Sequence, residues 1–300
     1  MSKNSLLKGV FLVGLGASSY GMLATFVKLA YEEKFTTAEV TISQFVYGIL
    51  GMLLINAFQK STSKTAVEKA TQKNIFQLML AGTSLGMTSV FYYLCVRYID
   101  VSIAIVLLMQ TVWIGVLLEW FLEKRKPSTQ KTIAVFIVLI GTIMATNILN
   151  SSISIDWRGI LFGLLAAASF TTTMFTANRI AIGISSAQRS LYMLLGGAVI
   201  VFGFALFTQN TPFNFDIFLK WGIFLALFGT IIPPILMNAG FPITGIGLGS
   251  IVSALELPVS VMMAYIILSE KVVFIQWIGI LLIIIAIVIM NLKPNFLTKK

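Results

Sequence analysis

Residues 253–260 read SALELPVS, and they set a carboxylate and a proline in the middle of a stretch, 246–268, whose other side chains are almost all apolar or small. An ionised acid at the centre of a bilayer costs about 2.5–3.5 kcal/mol on insertion scales, so a glutamate there faces a wet cavity, finds a partner or stays protonated. Gly249, Ser253, Glu256 and Ser260 recur at intervals of three and four, which places them on one helix face. Pro258 donates no N–H and crowds the carbonyl of residue 254, so it predicts a kink that frees backbone carbonyls nearby. Two chemistries are open to such a site: a carboxylate that holds a substrate amine, or an acid that takes up a proton during coupling.

Two other segments carry polar stripes at helical spacing. One holds Gly14, Ser18, Gly21, Thr25 and Lys28, and the other Ser169, Thr172, Thr176 and Arg179. Small residues at this spacing serve close helix packing as well as binding, and both uses are compatible if the helices surround one cavity. Lys28 and Arg179 sit near the ends of their stretches, where snorkelling to headgroups explains a cation. Tyr20, Tyr92, Trp113 and Phe170 could line an aromatic pocket, though packing and interface anchoring also account for such rings. Gln44, Gln110 and Asn238 are neutral polar groups at membrane depth, for which interhelical hydrogen bonding is sufficient reason. Glu119 and Glu123 share a face beside Lys124, Arg125 and Lys126, an arrangement that reads as an interfacial ion network. The candidate substrate-binding or coupling set is therefore Glu256, Ser253, Ser260, Ser18, Tyr20, Thr25, Gln110, Trp113, Ser169, Thr172 and Asn238, with Pro258 as the helix kink.

Composition limits the chemistry further. There is no histidine and one cysteine, Cys95, so an intrachain disulfide is excluded and a metal site is a poor fit; no cofactor is expected. No GxxxxGK[ST] occurs, which argues against ATP hydrolysis by this chain. GIGLGS at 245–250 echoes a dinucleotide loop but follows no strand, and reads as a turn opening a helix.

The elements that position these residues are membrane spans. Apolar residues make up 58% of the 300 positions and charged residues 11%, too little polar surface to coat a soluble domain. The formal charge of +10 falls in short clusters between apolar runs, which fits lipid headgroups better than a nucleic acid. Windows near spanning length lie at about 8–30, 37–58, 74–97, 101–122, 130–149, 157–180, 186–208, 216–238, 246–268 and 273–291, numbered here as spans 1 to 10. The first resembles a signal peptide at its basic start, but its apolar run continues to Ala30 and reads as a retained span. With loops assigned alternately to two sides, fifteen Lys and Arg fall on one and six on the other. That bias puts both termini in the cytoplasm and the chain in the cell membrane.

The chain is also similar to itself. GVFLVGLGASSYGMLATF from Gly9 resembles GILFGLLAAASFTTTMFT from Gly159, and VSIAIVLLMQTVWIGVLLEWFLEK from Val101 resembles LGSIVSALELPVSVMMAYIILSEK from Leu248, which aligns Glu123 and Lys124 with Glu270 and Lys271. The two halves, 1–150 and 151–300, each hold five spans, an odd number, so they must sit in opposite orientations. Inverted repeats are a common construction of secondary transporters. The predicted fold is an all-α integral membrane protein of ten helices in two inverted five-helix repeats.

The SSYG run of span 1, LLEWFLEK ending span 4, LELPVSVMMAYIILSEK in span 9 and the following QWIGILLIII resemble the EamA-type branch of the drug/metabolite transporter superfamily. One departure is that Leu257 stands between Glu256 and Pro258, where the family often has Glu and Pro adjacent. The resemblance implies a secondary carrier for a small amphipathic metabolite, such as an amino acid, a nucleoside-like compound or a cationic drug, exported by alternating access as a monomer or homodimer. A channel, a non-transporting scaffold and an intramembrane enzyme are the alternatives, and proton coupling stays open.

Overall fold

The computed structural model describes residues 3–62, 70–99, 101–124, 126–146, 156–269 and 271–291. Lys64, Lys69, Arg125, Glu270, Lys293, Lys299 and Lys300, used above for orientation or repeat matching, lie outside the described residues. The regular structure among the described residues is all helical: α1 (Lys3–Glu32), α2 (Thr37–Thr62), α3 (Gln72–Tyr98), α4 (Val101–Leu108), α5 (Thr111–Glu123), α6 (Thr129–Ala145), α7 (Trp157–Arg179), α8 (Ser186–Thr208), α9 (Ile223–Ala226), α10 (Ile232–Ser253), α11 (Glu256–Ile267) and α12 (Phe274–Asn291), with π turns at Phe218–Gly222 and Leu227–Ile231. Seven helices among these residues are long and apolar enough to cross a membrane, and Thr129–Ala145 and Phe274–Met290 are shorter apolar helices. Phe121, Leu206, Phe207 and Leu219 are more than four-fifths exposed. Water would penalise such an outer surface, whereas lipid tails are a neutral solvent for it.

Three departures from regular helix matter for function. Span 9 is divided between α10 and α11. Pro258 has no N–H for the Ala254 carbonyl, which instead accepts from the Leu257 N–H at 3.2 Å, a tighter turn. Span 4 is also divided, at Met109–Gln110, although it contains no proline. There the Gln110 N–H reaches back only three residues, to Leu107 O at 3.1 Å, and Val112 does the same to Met109 O at 3.1 Å. The Val101–Leu248 alignment places Met109 opposite Glu256, so the two breaks occupy corresponding places in the halves. Spans 8 and 9 run together from Phe218 to Ile267 over 50 residues, and the chain turns between them at Gly245 (φ 74°, ψ 176°), a conformation open essentially to glycine alone.

The duplication is visible in the backbone. Among the described residues, the non-glycine residues with positive φ are Lys34, Lys124, Ala181 and Ser269. Lys34 and Ala181 follow the first span of each half, and Lys124 and Ser269 the fourth. Packing obeys the same exchange. α1 lies on α10 and α11 as α7 lies on α3, α4 and α5, while α2 with α8 and α6 with α12 pair across the halves. The closest crossings rest on glycine: a Cβ at Gly82 would overlap the Met193 carbonyl oxygen, and one at Gly196 the Met79 carbonyl oxygen.

A capping box on α2 and an N-cap on α8 link the halves at opposite ends. In α2 the Glu39 N–H donates to Thr36 Oγ1 (3.2 Å) and the Thr36 N–H to Glu39 Oε2 (2.7 Å), while Glu39 Oε1 also accepts the Asn214 N–H at 2.7 Å. In α8 the Gln188 N–H donates to Ser185 Oγ (3.2 Å), and Gln188 Oε1 accepts the Ala70 N–H at 3.3 Å. Each capping side chain thus braces the segment that leads into the third span of the other half.

Arg189, one of the fifteen cations counted for the cytoplasmic side, is buried at 2% exposure. Its guanidinium donates to the carbonyls of Ile180 (3.1 Å), Asn238 (2.6 Å) and Ala177. The last carbonyls of α7 have no intrahelical donor, and this arginine supplies it.

Candidate functional site

A cavity of about 490 Å³ lies between the two halves, with walls from α1, α2, α3, α4, α7, the second π turn, α11 and the start of α12. Glu256 and Ser260 line it because the break at 254–255 turns the start of α11 toward it. Tyr20 and Thr25 enter from α1, Ile105 and Leu108 from α4, and Phe170 from α7. Tyr20 and Phe170 are repeat mates, 150 positions apart, and their rings meet edge to face with centroids 6.3 Å apart, on the seam between the halves. The ion pairs among the described residues, Lys131 with Glu119 and Lys220 with Glu33, do not involve Glu256.

The cavity extends toward one set of helix ends, where Lys28, Tyr31, Leu268 and Lys271 lie. At that face Lys220 pairs with Glu33 at 2.7 Å, and the hydrogen bond from Lys220 holds the Glu33 carboxyl below its ordinary range. At the opposite face the helices of the two halves pack closely. Ile243 covers Gly9, and Gly115 meets Ser250, whose hydroxyl donates to Val112 O at 3.2 Å. Glu119, paired with Lys131, lies against Gly245 and Gly247 at the turn into span 9, where a side chain at 247 would displace it.

The other predicted site residues stand apart from this cavity. Ser253 is buried and donates to Gly249 O at 2.9 Å within its own helix. Ser18 and Ser169 are not among the lining residues, and Thr172 is exposed, bonded to Ala168 O at 2.9 Å. The Trp113 indole donates to Gln110 Oε1 at 2.7 Å, and Gln110 Nε2 to Val106 O at 2.9 Å, so these two serve the break in span 4 rather than the cavity. Asn238 Nδ2 donates to Ser190 Oγ at 2.8 Å beside Arg189, an interhelical bond. Tyr92, a predicted pocket aromatic, does line the cavity. Sequence reasoning left Gln44, Thr88, Ser89 and Tyr93 out of the candidate set, yet all four line it. The only signal for them was polar or aromatic character at membrane depth, which packing explains equally well.

No curated protein matches the sequence. One solved structure, described only as "Crystal structure of protein", superposes with a TM-score of 0.75 at 14% identity, over 96% of this chain and 98% of its own. That likeness concerns the fold. The sequence profile of the EamA-like transporter family matches twice, over residues 7–147 and 157–292, and so covers nearly the whole chain in two consecutive copies. With its two-copy match, apolar helices and central cavity, the chain belongs to the EamA-like transporter family.

Proposed function

We propose that this protein is a secondary carrier that exports a small amphipathic metabolite bearing an amine, by alternating access, with Glu256 as the carboxylate that receives the amine. The observation that carries this reading is a cavity walled by both halves, with a lone mid-span carboxylate where a helix is broken. Amino acids, nucleoside-like compounds and cationic drugs remain the candidate classes. The working architecture is ten crossings in two inverted repeats, 1–150 and 151–300. It is supported by the 50-residue segment, long enough for two passes. Both termini are assigned to the cytoplasm of a cell membrane by the charge bias. In that orientation the cavity reaches the external face and the packed end is internal, an outward-facing carrier.

Flux in proteoliposomes tests the function. A saturable flux with counterflow is expected for an accepted amine, whereas a non-saturating ion current would mean a channel, and turnover without flux an enzyme. Orientation is tested in a Cys95→Ser background: single cysteines placed at 59–73 or 123–131 are expected to resist impermeant thiol reagents applied to intact cells. Labelling there reverses the assignment.

A further inference from the structure

Glu256 is not the only polar group on the cavity wall with unfilled capacity. The Gln44 side chain is only 6% exposed, lines the cavity, and has its amide oxygen Oε1 buried without a hydrogen-bond partner among the described residues. Leaving such an oxygen unpaired in a folded protein is costly. The backbone opposite is irregular. Helix winding between residues 227 and 231 is π-type, and this irregular turn brings Gly229 and Thr230 to the same cavity. A Cβ at 229 would overlap the Gln44 amide, so glycine makes room for it there.

The hydroxyls nearby are already committed. Thr230 Oγ1 donates to Gln44 O at 3.0 Å and lies 3.1 Å from Ala226 O, while Ser19 Oγ donates to Phe228 O at 3.2 Å. They satisfy backbone carbonyls and leave Gln44 Oε1 unpaired. Irregular backbone at membrane depth is tolerated where it lines a cavity, and π turns recur at functional sites.

We infer that Gln44, set against the π turn at Leu227–Ile231, is a second recognition pole whose amide turns its unpaired oxygen into the cavity to accept a hydrogen bond from a hydroxyl or amide N–H on the transported amine. The pole is a neutral acceptor and Glu256 carries the charge, so the ammonium goes to Glu256 and Gln44 takes the hydroxyl or amide N–H. The preferred substrates therefore carry both an amine and a hydroxyl or amide, which disfavours purely apolar cations. This rests on the amine reading of Glu256.

The test uses purified full-length protein and two matched probe pairs, ethanolamine with ethylamine and tyramine with phenethylamine, read by direct binding and by inhibition of flux. Wild type is expected to prefer the hydroxylated member of at least one pair by about tenfold, the size of one net hydrogen bond. Gln44→Met and Gln44→Leu, which remove an unpaired buried amide and are checked for unchanged thermal stability, should erase that preference while leaving the deoxy amine unaffected. Glu256→Gln should weaken both members of each pair together. Absence of any preference in wild type, or its survival in a folded Gln44 variant, overturns the second pole. Unchanged amine binding in Glu256→Gln instead overturns the amine reading.

Discussion

Glu256→Gln is expected to weaken binding of an accepted amine by about 1.5–3 kcal/mol, roughly one to two orders of magnitude in affinity, while the protein stays folded. The substitution keeps the side chain's shape and hydrogen-bonding capacity and removes only the charge. Burial in low dielectric makes that charge worth more than it would be in water, and no ion pair among the described residues dilutes it. The same variant separates the two chemistries open to the site. If the carboxyl instead couples protons, net proton-driven export should fail while substrate exchange survives. Binding is the favoured role, because among the described residues no second acid lines the cavity to relay a proton, and the sequence has no histidine. Wild-type binding, exchange and pH-dependent net flux together would reduce Glu256 to a tolerated structural group.

The second large effect concerns the crossing of α3 with α8. Gly82→Ala and Gly196→Ala are each expected to destabilise the protein by about 1–3 kcal/mol, read as a lower unfolding temperature in detergent. The added Cβ would overlap a backbone carbonyl in each case, that of Met193 or Met79, and a carbonyl cannot rotate aside as a long side chain does. The helices must separate, and lipid supplies no hydrophobic drive to close them again. Both sites lie in one interface, so a single separation relieves both clashes, and the double variant should cost less than the sum of the singles. Gly203→Ala is the control, since a Cβ there meets no atom within 4 Å; it should be neutral or slightly stabilising. Wild-type stability of Gly82→Ala would mean that the helices are not in such close contact.

What the sequence alone determined follows from local composition and period. Runs of apolar residues near 20 long declare membrane helices because the backbone must satisfy itself in lipid. The likeness of GVFLVGLGASS to GILFGLLAAAS, and of span 4 to span 9, declared two related halves. Glu256 stood out because an acid in that setting needs a special environment, and Pro258 because a missing N–H is a property of the residue itself. The tertiary structure decided the rest. The break at Met109–Gln110 carries no proline or glycine, so its only trace in the sequence is its alignment with the break beside Pro258. In sequence Arg189 is only one of the fifteen cytoplasmic cations, whereas in the structure it supplies donors to the last turn of α7. Ser18, Ser169 and Thr172 share helical spacing with cavity residues or with one another but do not reach the cavity, while Gln44, in no stripe, does. Spacing tells which side chains share a face. It cannot tell which face meets a cavity when the alternatives are lipid and protein, both apolar, and when a small polar residue closes a helix crossing as readily as it lines a pocket.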